Sequence, residues 1–366
     1  MDLNLMSITL VIRWLIGWVL MWRLPRLPDI AVIGSPKVSV LIPARNEVNT
    51  LPHLLTALQQ QTFQPYEIIV IDDQSVDQTA LVAEQAGAKV IQTSPLPIGW
   101  TGKNWALKTG VTASSGDFLI FLDADTEPNK DLLRRLVATV QNLGGLVSIQ
   151  PYHRTERPYE LLAILFNLVG LMAIKLGARG GVAFGPAMAT SKNDYERIGG
   201  HDVVAGCVVE DWFIAHVYEK AGLPVSAYMG YGQIDYRMYP GGIRDLIDGF
   251  DKNFATAAGE VSWLRMFVVV LWLSALFWSA WCLPASLLGW TTFGDPSLVY
   301  TVVLYLAFAI QLAIIVKPVG SFGWIVFFFP IPVIFFIGVF IIAILNLKRG
   351  QIEWKGRTIS TRWTKP

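Results

Sequence analysis

Three acidic clusters follow one another at the ends of apolar runs: Asp72-Asp73, Asp123-Ala-Asp125 and Glu210-Asp211. Carboxylates hold hard divalent cations and move protons, and two of them with one residue between, as in Asp123 and Asp125, suit Mg²⁺ or Mn²⁺. Such an ion takes one or two carboxylates and completes its shell on substrate phosphate oxygens, so the pair implies a substrate that carries a diphosphate. Taken singly, each cluster has an ordinary reading. Asp72-Asp73 could be a turn or a helix cap, and Glu210-Asp211 a solvated helix start. It is their succession, strand by strand, that points to a metal-assisted transfer site.

The elements that must carry them are legible nearby. Val38-Ser-Val-Leu-Ile42 stops at Pro43 and passes into Ala44-Arg45-Asn46-Glu47, which predicts a buried parallel strand and then a loop. Leu51, Leu54, Leu55 and Leu58 follow at helical spacing, and Ile68-Ile-Val-Ile71 ends in Asp72-Asp73. This is a strand-helix-strand unit with carboxylates at its tip. Phe118-Leu-Ile-Phe-Leu122 repeats the pattern and ends in Asp123. Ligands of open α/β sheets sit outside the carboxyl ends of the strands, so Asp73 is expected to touch one. No Gly-x-Gly-x-x-Gly opens the first helix, which removes the main support for a dinucleotide-binding fold.

With Gly102-Lys103, Ser148-Ile-Gln-Pro-Tyr-His153, Phe184-Gly-Pro186, Gly199-Gly-His201, Tyr236-Arg-Met-Tyr239 and Glu353-Trp-Lys-Gly-Arg357, the chain resembles the family 2 inverting glycosyltransferases over residues 36–240. Within that family it is most similar to bacterial carotenoid glycosyltransferases, and the shared pieces reach almost to the C-terminus. The resemblance implies an α/β GT-A catalytic domain, Rossmann-like, that takes a nucleotide-diphospho-sugar. It places Pro43, Arg45 and Glu47 along the nucleotide pocket and Asp73 on the uracil edge. Lys103 falls near the uridine or its phosphates, Asp123 on the ribose and the metal, and Asp125 on the metal. Inversion is a single in-line displacement that needs a base on the acceptor's side, and Asp211, beside Glu210, is expected to be that base. Part of the carotenoid subgroup keeps only the glutamate. An acid acceptor is already ionised at neutral pH whereas an alcohol is not, so a retained Asp211 points to a hydroxyl acceptor.

Gln233-Ile-Asp-Tyr-Arg237-Met is the nearest approach to the Gln-x-x-Arg-Trp of processive polysaccharide synthases. It is one residue longer and lacks the tryptophan, which argues against a polymer-making enzyme. Arg237 reads as a diphosphate contact, or else as a structural ion pair. His153 and Arg154 could orient the polar end of an acceptor, with a structural role as the alternative for His153 and equally for His201.

Hydrophobic residues make up 53% of the chain and mean hydropathy is +0.45, above what a soluble α/β enzyme carries, so membrane segments are expected. Residues 1–28 read as an N-terminal anchor. Ser7 to Trp22 is broken only by Arg13 and followed by Arg23 and Arg26, which orients the catalytic domain, 36–240, into the cytoplasm. A cleaved signal peptide is the alternative, but there is no basic start and no small-residue cleavage site. Residues 241–260, with Ile243, Leu246, Ile247, Phe250 and Phe254 at helical spacing, read as an interfacial amphipathic helix or a helix packed on the catalytic domain. Within 262–346, apolar segments near 266–289, 298–316 and 323–346 are each long enough to cross a bilayer. Three crossings would leave the basic tail, 347–366, outside. The last segment, with Phe329-Pro-Ile-Pro332, is therefore the expected re-entrant one, and a cytoplasmic tail would let Trp354, Lys355 and Arg357 approach the site. Leu161 to Leu176 reads as a membrane-facing helix, because Phe184-Gly-Pro186 must return to the catalytic domain.

An active site at the bilayer surface suits a lipid-dissolved acceptor. The expected reaction moves a hexose, glucose from UDP-glucose, onto a carotenoid or related terpenoid in the plasma membrane. Other lipids, such as a polyprenyl phosphate, a ceramide-like lipid or a hopanoid, are the alternative, followed by a non-catalytic scaffold, which has no need of Asp73, Asp125 and Asp211. Net charge of +1 gives no field for nucleic acid, and two cysteines, Cys207 and Cys282, are too few for a disulfide framework or a zinc site.

Overall fold

Val38–Ala44 forms β1, with every side chain but that of Pro43 buried, as a strand covered on both faces requires. The computed structural model describes residues 3–207, 209–257, 262–290, 297–349, 351–354 and 357–360. Glu67–Asp72 (β2) and Lys89–Gln92 (β3) extend the sheet in parallel on one side of β1, and Phe118–Leu122 (β4) pairs with it in parallel on the other. Thr126–Pro128 (β5), Leu146–Gln150 (β6) and Tyr152–His153 (β7) follow. Ala187–Ser191 (β8) runs antiparallel between β4 and β6, and Val225–Met229 (β9) lies parallel to β6, giving the order β3-β2-β1-β4-β8-β6-β9. Ile234–Tyr236 (β10) is the centre of a separate sheet, between β5 and β7.

Alternation along the strands splits the core between two faces. Val40, Ile42, Val70 and Ile120 meet the leucines of helix Leu51–Gln59 and those of helix Leu132–Leu143. Leu41, Ile69, Ile71 and Leu119 meet helices Gly102–Thr112 and Glu210–Lys220. β1 lies between β2 and β4, so successive connections leave it in opposite directions, and the carboxyl ends of β1 and β4 form the switch point at which such sheets place a ligand crevice. All of this belongs to one compact unit, residues 24–153 and 175–237.

The other unit, residues 1–23, 154–174 and 238–366, is built of apolar helices. Trp263–Leu287 and Leu298–Ile315 are long and apolar enough to cross a membrane, while Ser7–Leu20 and Pro330–Asn346 are shorter apolar stretches. Helix Leu3–Leu20 packs on both of the long ones. Gln311, fully buried, accepts from Trp272 Nε1 at 2.9 Å and donates to the Trp14 carbonyl at 2.6 Å. Gly17 permits this approach, since a Cβ there would stand 2.4 Å from Trp272 Nε1.

One expectation for this unit changes, that for 161–176, and two other segments gain detail. The apolar run 323–346 is interrupted at Phe329-Pro330: a 3₁₀ turn, Gly323–Phe328, is followed by helix Pro330–Arg349. Pro330 takes the first helical position, where its missing N–H costs nothing. The run 161–176 is a 3₁₀ turn, Pro158–Ala163, and helix Ile164–Ala173, and it is protein-covered rather than membrane-facing. Its Phe166 stacks on Phe250 at 4.1 Å and lies 4.9 Å from Phe336. Helix Ile243–Ala257 buries Leu246 and Phe250 against Pro330–Arg349 of its own unit, where Asp251 accepts from Asn346 Nδ2 at 2.8 Å. Its apolar face is thus covered in part by a neighbouring helix, with Ile243 on the same face left 47% exposed. Gln351–Trp354 and Arg357–Ser360 pair as an antiparallel ladder. Lys355 lies outside the described residues, as do the side chains of Phe254, Trp354 and Arg357.

Candidate active site

The loops after β1 and β2 are stitched to each other. Asn46 and Gln74 both adopt positive φ, 57° each. The Asn46 N–H donates to Ser75 Oγ (3.0 Å), its side-chain carbonyl accepts from the Val76 N–H (2.9 Å), and the Glu47 N–H donates to Thr79 Oγ1 (2.8 Å). Asn tolerates that backbone region better than most residues. The stitching separates the two adjacent aspartates. Asp72 accepts from the Ser75 N–H (3.1 Å) and closes the turn. Asp73, 7% exposed, faces the crevice with Arg45 Nη1 at 3.5 Å and Thr93 Oγ1 at 3.3 Å. Pro43 is half-buried at the end of β1.

Across the crevice, the helix that starts at Gly102 delivers Lys103. Its N-terminus is capped by Thr101, and the buried Asn104 donates from Nδ2 to the carbonyls of Val204 (2.6 Å), Ala205 (3.1 Å) and Cys207 (3.1 Å). That clamp holds the segment leading to Glu210 against the helix carrying Lys103. The Lys103 ammonium lies 2.8 Å from Asp123 Oδ1 and 2.9 Å from Glu210 Oε1. Desolvation disfavours the charge, but the carboxylates of Asp123 and Glu210 outweigh it and raise the pKa, so the lysine stays protonated. Gly185 backs the cluster. A Cβ there would stand 3.2 Å from Lys103 Nζ, 3.3 Å from Glu210 Oε1 and 3.4 Å from Asp211 Oδ2.

Asp211 accepts from the Gly185 N–H at 2.8 Å and from its neighbour's Trp212 N–H at 2.9 Å. Burial, and then the charge of Glu210, nonetheless push its carboxyl up to about 6. A carboxylate with that pKa is ionised at neutral pH and still basic enough to take a proton. Asp125 is pushed up to about 7 by burial and by the charges of Asp123 and Glu47. Among the described residues no three His, Cys, Asp or Glu side chains form a ready-made cation cage. Asp123 and Asp125 do fit a divalent ion that completes its shell on a diphosphate and water, and the crowding of charge at Asp125 is what such an ion would relieve.

The structure therefore brings Lys103, Asp123, Glu210 and Asp211 together, and sets Arg45 and Asp73 on the neighbouring loops. His153 is elsewhere in character: it is fully buried in β7, with its ring 5.5 Å from that of Tyr236 in β10. Arg237 is half-buried directly after β10. His201 is buried, shares a 2.6 Å hydrogen bond between Nδ1 and the Tyr195 hydroxyl, and is pushed down to about 4, first by burial. It is neutral at physiological pH and holds a loop. Two participants escaped the sequence reading of the site. Gly185 lay within the quoted Phe184-Gly-Pro186, and a glycine placed where a chain returns to an acidic cluster was the available signal. Asn104 gave none beyond following Lys103.

Paired carboxylates, a held lysine and a separate basic aspartate at a switch point of the sheet form an arrangement suited to binding a diphosphate and moving a proton. The chain belongs to glycosyltransferase family 2: the family model "Glycosyl transferase family 2" matches residues 39–171, and 35% identity joins the chain to a named glycosyltransferase over most of its length. That relative is the 4,4'-diaponeurosporenoate glycosyltransferase of Staphylococcus aureus (strain USA300), aligned over 335 residues, 88% of each chain. The protein of the same name from strain MRSA252 is 34% identical over the same shares. Among solved structures, the mannosyltransferase PcManGT from Pyrobaculum calidifontis, in complex with GDP-Man and Mn²⁺, shares the fold with a TM-score of 0.52 at 17% identity, covering 92% of this chain and 95% of its own.

Proposed function

We propose that this glycosyltransferase moves glucose from UDP-glucose, with inversion, onto the hydroxyl of a carotenoid or related terpenoid held in the cell membrane. The observation that carries the acceptor class is the 35% identity, across 88% of both chains, to an enzyme named for diaponeurosporenoate. Asp211 is the base. It takes the acceptor's proton as the oxygen bonds to the anomeric carbon and the bond from that carbon to the β-phosphate oxygen breaks, releasing UDP. The pKa of about 6, and the distinct environments of the adjacent acids, support that assignment.

Asp123 and Asp125 would hold Mg²⁺ or Mn²⁺, which when bound supplies Lewis-acid neutralisation of the leaving diphosphate. Lys103 adds a permanent positive charge beside the same leaving group, and Arg237 is a further diphosphate contact. Pro43, Arg45, Glu47 and Asp73 hold the nucleoside, Asp73 accepting from the uracil edge. The apolar helices anchor the enzyme, and Arg23 and Arg26 after the first of them favour a cytoplasmic catalytic domain.

The test is transfer from UDP-[¹⁴C]glucose by the purified protein in detergent with Mn²⁺, offering a hydroxylated carotenoid, a carotenoid acid and undecaprenyl phosphate. Label in the hydroxylated carotenoid is the expected result. Label in the acid alone moves the acceptor to a carboxylate, and label in undecaprenyl phosphate alone overturns the pigment reading.

A further inference from the structure

The Lys103 ammonium covers the carboxylate that a divalent ion would need. Its Nζ is 2.8 Å from Asp123 Oδ1 and 3.2 Å from Oδ2, so one cation faces both oxygens of that group. A hard divalent ion takes its oxygen ligands at about 2.0–2.1 Å, so on the edge that the ammonium straddles the two cations compete for the same oxygens and the same negative charge. The helix beneath is pinned by Asn104, but the lysine ends in a flexible four-carbon stem, and its side chain is 31% exposed. Its second partner, Glu210 at 2.9 Å, keeps it within the crevice instead of releasing it to solvent. Asp125 stands in different surroundings: its largest charged neighbours are Asp123 and Glu47, both acidic.

We infer that Lys103 is a stand-in cation on Asp123, which moves onto the donor's diphosphate when the donor binds and only then leaves Asp123 to a divalent ion. The inference rests on the reading of Asp123 and Asp125 as the cation site. Its consequence is that donor and metal bind synergistically. Each tightens the other, because the nucleoside diphosphate supplies both a new partner for the ammonium and the missing oxygen ligands. A metal ion without donor meets a site already neutralised, which guards the enzyme against unproductive loading.

The experiment measures Mn²⁺ binding to the full chain in detergent by the EPR signal of free Mn²⁺, without nucleotide, with UDP, and with GDP as a second probe. In the unaltered protein UDP should tighten Mn²⁺ by about tenfold or more, and Mn²⁺ should tighten UDP by the same factor. Lys103→Met should bind Mn²⁺ without nucleotide about tenfold tighter than the unaltered protein, with the coupling reduced by about the same factor and only the part due to the diphosphate's oxygen ligands remaining. Lys103→Arg, which keeps the charge on Asp123, should retain weak nucleotide-free binding. Lys108→Gln removes a positive charge from the same helix, where Lys108 pairs with Asp202, and should behave as the unaltered protein. Unchanged nucleotide-free affinity in Lys103→Met overturns the inference, as does an equal rise in Lys108→Gln, which would reduce the effect to general charge. If Lys103→Met is unfolded by its melting curve, strong nucleotide-free binding by Lys103→Arg overturns it instead. Absence of Mn²⁺ binding by every form, with either nucleotide, overturns both the inference and the cation site on which it rests. Mn²⁺ binding with UDP but no change on substitution leaves the cation site standing alone.

Discussion

Glu210 and Asp211 are adjacent in the chain yet have separate partners: Glu210 holds the Lys103 ammonium at 2.9 Å, while Asp211 is held by the Gly185 N–H at 2.8 Å. They open a helix, where successive side chains point about 100° apart, so two neighbours can serve two different sides of a crevice. One acid is neutralised by a lysine and the other is left basic, so the two like groups stand in different environments, as the proposed split between positioning and proton transfer requires.

As the proposed base, Asp211 should set an acidic limb on the rate. Its folded pKa, about 6, is raised above the ordinary carboxylate value, so the base is lost by protonation as pH falls through that value. Transfer to an alcohol should rise with pH and level off above about 7. Asp211→Asn should lower kcat by about 10²-fold or more, with little effect on donor KM, and abolish the limb. An unaltered pH profile in that variant would remove Asp211 from the chemistry.

Gly185→Ala places a methyl group against three functional side chains at 3.2 to 3.4 Å. The backbone φ of Gly185 is not in the left-handed region, so the fold should survive and the melting temperature stay close to that of the unaltered protein. What shifts is the ion pair, and kcat/KM should fall about tenfold, as misplacement of reacting groups by fractions of an ångström does. A fully active variant would show that the backing of the cluster is not required.

Asp125 should weaken the fold while serving the site. Its pKa is raised to about 7, so the folded protein holds that proton between about pH 4 and 7 when the unfolded chain does not, and deprotonation costs stability as pH rises through that window. Metal-free Asp125→Asn should therefore melt about 2 °C higher at pH 7.5 and lose transfer activity. Mn²⁺ with UDP should raise the melting temperature of the unaltered protein and leave the variant unmoved. Equal stabilisation of both would place the ion elsewhere.

Gln311→Leu tests the helical unit. The substitution leaves the Trp272 indole N–H and the Trp14 carbonyl without the partner that now joins three helices. Unfolding in mixed micelles, followed by tryptophan fluorescence, should show a loss of about 1 kcal/mol. No loss would mean that lipid or detergent satisfies those groups equally well.

Much of the catalytic half was legible because its signals are local. β1, β2 and β4 announce themselves as β-branched and aromatic runs that stop at polar residues, and the sheet then places Arg45, Asp73, Asp123 and Asp125 at one end without further information. Gly185 and Asn104 were not legible as site residues. Gly185 acts through its backbone N–H and through the space its missing Cβ leaves beside three side chains distant in sequence, and Asn104 through carbonyls a hundred positions away.

By itself the sequence determined where the carboxylates sit, since the period of the side chains and the ends of the apolar runs are properties of the chain alone. It also determined which segments must leave water. The tertiary structure alone decided what replaces that water. Ile164–Ala173 is as apolar as a membrane-facing helix, yet it is covered by other helices of its unit, and hydropathy cannot separate the two because lipid tails and leucine side chains are equally apolar. The division of labour in the site was likewise tertiary. Lys103 chose Glu210 and Asp123, rather than Asp211, through distances that spacing along the chain does not contain.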